Sequence, residues 1–163
     1  MRRHVVITSN RLTLIGIAAF GLSLIAPAVA QDRMVLGPLQ QKEDTTGAGA
    51  VLCVWTIYLS VQAQTTACAL PRRPADDAYD KAIVAIDEFI LANSSSHPTR
   101  PMLENLKHDL AAGELSGARR SRGSDFCKNS DLEAFRSFKP EQIQASVKSL
   151  LAVPREPVMN PCL

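Results

Sequence analysis

The sequence predicts an all-α fold: a small disulfide-stapled domain of four to five helices set behind a cleaved signal peptide. Three observations carry that prediction. Apolar residues recur at helical spacing in segments separated by Pro, Gly and Ser. Aromatic residues make up only 5% of the chain, so Ala and Leu must fill much of the core, which favours helices over sheets. All four cysteines lie beyond residue 50, an even number that suits two disulfides in a small exported domain.

The leader reads from the first residues. Met1-Arg2-Arg3-His4 and Arg11 give a basic start, and no charge follows from Leu12 to Val29. Leu14, Ile15, Ile17, Phe20, Leu22, Leu24 and Ile25 supply an apolar core. Pro27-Ala28-Val29-Ala30 ends it with small residues at the alternate positions that signal peptidase accepts, which places the cut between Ala30 and Gln31. The chain then divides into a signal peptide (1–30), a flexible arm (31–48) and a single helical domain (49–163). Periplasmic or secreted localisation is expected.

Cleavage changes the charge account. Arg2, Arg3 and Arg11 leave with the leader, so 18 basic residues fall to 15 against 16 acidic ones. A nearly neutral mature chain offers no general basic surface to nucleic acid, whatever the whole-chain pI of 8.4 suggests.

Cys53, Cys68, Cys127 and Cys162 allow three pairings. If residues 50–66 form one helix, Cys53 and Cys68 stand roughly 20 Å apart. A disulfide needs Cα atoms within about 7 Å, which disfavours that pair. Cys68–Cys127 with Cys53–Cys162 is preferred over Cys53–Cys127 with Cys68–Cys162. The cysteine spacing and the Pro161-Cys162 ending resemble those of small two-disulfide periplasmic proteins, some inhibitors and immunity proteins among them; the resemblance assigns no role to any residue.

Each element follows from local pattern. Val51, Val54, Trp55, Tyr58 and Val61 share helical spacing, and no charge occurs from Thr45 to Leu70. A membrane-anchored stretch at Val51–Val61 is the alternative here. The strongly apolar part covers about fifteen residues, or roughly 22 Å of helix, short of a hydrocarbon core of about 30 Å. Pro71 to Pro74 breaks the chain, and Asp76-Asp77 start a second helix with the stripe Tyr79, Ala82, Ile83, Ile86, Phe89 and Ile90. Thr99 and Pro101 open a third, with Leu103, Leu106 and Leu110 inward and Gly113 as its stop. Glu114 to Asn129 reads as a loop. Ser130-Asp131-Leu132-Glu133 reads as a capping box for a short helix. Pro140 opens the last helix, with Ile143, Val147, Leu150 and Leu151 inward, and a Pro-rich tail runs to Cys162.

Candidate chemistry is sparse. Glu104 and His108, four residues apart, could form a minimal acid–base pair on the third helix, the basis of a hydrolase-like alternative. Asp76, Asp77 and Asp80 read as helix-start electrostatics rather than a cation site. The sequence has no Gly-x-Ser-x-Gly elbow, metal-binding His-Glu-x-x-His, Cys-x-x-Cys pair or phosphate-cradling Gly motif. No metal, cofactor or catalytic residue is therefore expected. Arg119, Arg120 and Arg122 form the most distinctive surface cluster, suited to a carboxylate, a phosphate group or an acidic partner. These features point to a non-enzymatic exported protein that binds a protein or cell-envelope partner.

Overall fold

The computed structural model describes residues 40–120 and 126–162; the expected signal peptide lies outside them. The described residues form five α-helices: α1 (Val51–Ala67), α2 (Pro74–Asn93), α3 (Arg100–Arg120), α4 (Ser130–Arg136) and α5 (Pro140–Leu150). A 3₁₀ turn at Phe126–Lys128 precedes α4. The expected all-α, disulfide-stapled class is the observed one.

Helix α1 is the centre of the domain. It contacts α2, α3 and α4, and its buried residues Val51, Leu52, Cys53, Trp55, Tyr58, Leu59 and Val61 lie around the helix rather than on one stripe. A helix that is apolar on most sides must be covered on most sides. Its uncharged, span-like composition therefore reflects a central position in the core. Among the described residues no helix is long and apolar enough to cross a membrane.

The outer helices are one-sided. Ala78, Tyr79, Ala82, Ile83, Ile86 and Ile90 of α2 face the core, as do Ile143, Val147 and Leu150 of α5, which packs on α2. Both helices begin at Pro, whose fixed φ suits the first turn. At α2 the Asp76 carboxylate accepts the Arg73 N–H at 2.8 Å; at α5 the Gln142 carbonyl oxygen accepts the Lys139 N–H at 3.0 Å.

Two boundaries differ from the sequence reading. Helix α3 passes through Gly113 and reaches Arg120, so residues 114–120 of the expected loop are helical. One exposed glycine costs a helix only about 1 kcal/mol relative to Ala. Beyond it, Glu114 is held by hydrogen bonds from Ser60 Oγ and, at 3.4 Å, Gln64 Nε2 of α1. At α4 the cap is Asn129, whose Oδ1 accepts the Asp131 N–H at 2.8 Å. Glu133 does not reach back as a capping box requires; its carboxylate binds Arg73 at 2.6 Å.

Two disulfides staple this frame. Cys53–Cys162 and Cys68–Cys127 have Cα separations of 5.3 and 5.6 Å, which is the preferred pairing. The first fixes the C-terminal tail to the start of α1. The tail also pairs with residues expected to be a loose arm. Met159 N–H donates to Gln40 O at 2.8 Å, Asp44 N–H to Asn160 O at 2.7 Å, and Leu52 N–H to Val158 O at 3.0 Å. Residues 40–48 are thus docked; 31–39 lie outside the described residues.

Arg155 locks the junction. Its Nε donates to Asp44 Oδ1 at 3.0 Å, Nη1 to Leu150 O at 2.8 Å and Nη2 to Gly49 O at 2.6 Å. Its guanidinium also lies over the Phe89 ring, 5.7 Å from the centroid. Gly49 has φ +103°, and a Cβ there would come within 3.3 Å of Leu150, so the close turn needs glycine.

Candidate functional site

The residues singled out by sequence do not converge on one site. Arg119 and Arg120 belong to the last turn of α3 rather than a loop, and Arg122 lies outside the described residues.

The Glu104–His108 pair is not formed. Glu104 binds Lys107 at 2.7 Å, and the His108 side chain is 84% exposed, with Nδ1 4.0 Å from Asp109 Oδ1. Lys107 also binds buried Asp87 at 2.9 Å, whose other oxygen accepts the Trp55 indole N–H at 2.8 Å. Burial would lower the Lys107 ammonium pKa; the Glu104 and Asp87 carboxylates outweigh it and hold the group above its ordinary value. This chain of contacts ties α1, α2 and α3 together.

The acidic cluster is likewise used inside the fold. Asp77 and Asp80 share the Arg72 guanidinium, and Asp76 pairs with buried Arg136. Among the described residues no cluster of His, Cys, Asp or Glu is arranged to hold a metal ion.

The structure instead assembles a site that the sequence did not announce. Val54, Ile57 and Tyr58 project from one face of α1; Phe135 lies in the last turn of α4; Phe138 sits in the link to α5; Ile143 and Ser146 lie one turn apart on α5. Together they enclose a groove of about 300 Å³, with Tyr79 of α2 also in its wall. The Tyr58 and Tyr79 rings are 4.8 Å apart at 56°, and Phe135 meets Phe138 edge-on at 6.0 Å. Phe138 remains 46% exposed.

None of the described residues lining this groove is charged. The polar groups are few: the Tyr58 hydroxyl beside Ser146, the Ser146 hydroxyl and the Gln142 amide. The Tyr79 hydroxyl is committed, donating to Phe135 O at 2.8 Å. Burial pushes the Tyr58 phenol above its ordinary range, and the neighbouring Ser146 hydroxyl offsets this only in part. Burial also raises Tyr79, aided by neighbouring Tyr58 and Asp76. Both phenols are therefore neutral near pH 7. An apolar concavity with a few polar groups is the usual form of a binding site.

Two larger clefts, of about 420 and 400 Å³, are less suited to a ligand. Their principal charges are already paired within the fold: Asp44 with Arg155 in one, and Arg73 with Glu133 and Arg136 with Asp76 in the other. No signal along the chain marks the apolar groove, because its walls come from residues 54–58, 79 and 135–146 and each reads locally as ordinary core. No protein-family model, curated protein or solved structure matches this chain.

Proposed function

We propose that this is an exported, non-enzymatic binding protein that holds a protein or cell-envelope partner in the groove between α1, α4 and α5. The observation that carries the proposal is the uncharged concavity itself, about 300 Å³, with Phe138 open at its mouth. Two disulfides fit an oxidising compartment outside the cytosol. The titratable pairs are engaged in holding helices together, which favours binding over catalysis.

Affinity capture from native envelope extract tests this, with the tag placed before Gln40, away from Cys162. A stoichiometric partner held by the oxidised protein and lost from Phe138→Ala is expected. Equal capture by both proteins would remove the groove from the proposal. A parallel Arg119→Glu, Arg120→Glu variant tests the arginine cluster as a second contact, with reduced capture expected and unchanged capture excluding it.

A further inference from the structure

The size, neutrality and few polar groups of the groove also define its occupant. We propose, building on the binding role above, that the groove takes a small neutral amphiphile: an apolar body of about two fused rings bearing one uncharged hydroxyl or carbonyl group. This selects a small envelope component over an apolar side chain of a partner protein.

Volume sets the body. A cavity of about 150 Å³ lined by aliphatic and aromatic side chains accommodates benzene. The present groove is about 300 Å³, so it suits roughly twice that bulk. Aromatic walls from Tyr58, Tyr79, Phe135 and Phe138 favour a flat ring system through offset and edge contacts.

Charge sets the head. A charged head would meet no counter-charge among the lining residues, whereas a neutral one can exchange hydrogen bonds with the hydroxyls already there. The Tyr58 and Ser146 hydroxyls, already neighbours, each donate and accept and so match one neutral polar group. The surroundings argue against a protein side chain as occupant. A stable protein interface buries about 800 Å² on each partner and has an apolar centre. Among the described residues, Phe138 is the only large exposed apolar residue that belongs to the groove; Val84, Leu115 and Val153 do not line it.

The test titrates the oxidised full mature chain with 2-naphthol and with 2-naphthoate, followed by calorimetry and amide chemical shifts. The expected result is saturable 1:1 binding of naphthol, with shifts clustered at Ile57, Tyr58, Ile143 and Ser146. Naphthoate should bind at least tenfold more weakly. Ser146→Arg, on an exposed position of α5, should abolish naphthol binding. Tyr58→Phe, which preserves the ring, should weaken it about two- to tenfold, the effect of one neutral hydrogen bond. Circular dichroism checks that both variants fold, and either suffices for the test. Absence of saturable naphthol binding, equal affinity for naphthoate, or shifts located elsewhere would overturn the inference. If naphthol fails while Phe138→Ala still loses a captured protein, the ligand class falls and the binding role stands. If naphthol binds as expected while Phe138→Ala captures the same partner as the native chain, the partner role of the groove falls alone.

Discussion

Arg136 and Asp76 meet as a buried two-point ion pair, Nε to Oδ1 at 3.0 Å and Nη2 to Oδ2 at 2.9 Å, across a sequence separation of 60 residues. Their side chains are 2% and 5% exposed. Arg136 also donates to Pro71 O, and Asp76 accepts from Arg73 N–H, so the pair joins the end of α4 to the break before α2. Removing the cation strands a buried carboxylate, which costs about 3–5 kcal/mol. Arg136→Met should therefore lose that much stability by urea denaturation. Combining it with Asp76→Leu should recover most of the loss, because no charge is then left unpaired. A double variant as unstable as the single one would mean that the Pro71 and Arg73 contacts, rather than the charges, dominate.

The same carboxylates give the acid limb of stability. Burial alone would raise Asp76, but the Arg136 guanidinium and the Arg73 N–H outweigh it and hold its pKa below the ordinary 3.8. Asp44 behaves alike: burial opposes ionisation, while Gly49 N–H, the Thr46 hydroxyl and Arg155 hold it low. The unfolded chain then binds these protons at higher pH than the folded one does. Their stabilisation is complete above the unfolded value, near 3.8, and disappears as pH falls through the lower folded values. Urea midpoints should be flat near neutrality and decline as pH falls below about 4–5. Asp76→Asn should lower the neutral plateau and shallow that decline. An unchanged slope would show that Asp76 does not contribute to the linkage.

At Gly113 the local signal and the tertiary packing point in opposite directions. A glycine after a leucine stripe is a common helix end. Here the stop signal was local, whereas the Ser60 and Gln64 contacts to Glu114 that hold the next turn are tertiary. Helix α1 shows the same division. Its helical period was legible, but its span-like lack of charge was explained only by neighbours on several sides. Helix rise separates Cys53 from Cys68 and so excludes that pair, but the choice between the two remaining pairings depends on where the tail and the turn before α4 pack. The groove was not legible, since Tyr79 and Phe138 come together only through the packing of α2 against α4 and α5.

Gly113 itself makes a simple test. Nothing lies within 4 Å of a Cβ built there, and the position is exposed in the interior of α3. Alanine should fit without strain and restrict the unfolded backbone. Gly113→Ala is expected to raise stability by about 0.5–1 kcal/mol, measured by urea denaturation. A loss of stability would mean that the helix does not run through this residue as a regular turn.

The Cys53–Cys162 staple and the Arg155 clasp hold the same junction by different means. The disulfide joins residues 109 apart, and constraint of so long a loop is worth about 4–5 kcal/mol in the chain-entropy account. That contribution acts mainly on the unfolded chain. In the folded chain, Arg155 still ties Asp44, Gly49 and Leu150 together, and Val158 O still accepts from Leu52 N–H. Cys53→Ser with Cys162→Ser should therefore lower global stability by about 4 kcal/mol yet leave the tail docked. Hydrogen exchange should find the Leu52 and Asp44 amides slowed relative to the unfolded chain in that variant. Adding Arg155→Ala should release the tail and bring those amides to exchange before global unfolding. Arg155→Ala alone, with the disulfide intact, should have a smaller effect, because the leash keeps the tail near its site. If the serine pair alone frees both amides, the covalent link, rather than the clasp, holds the tail in place.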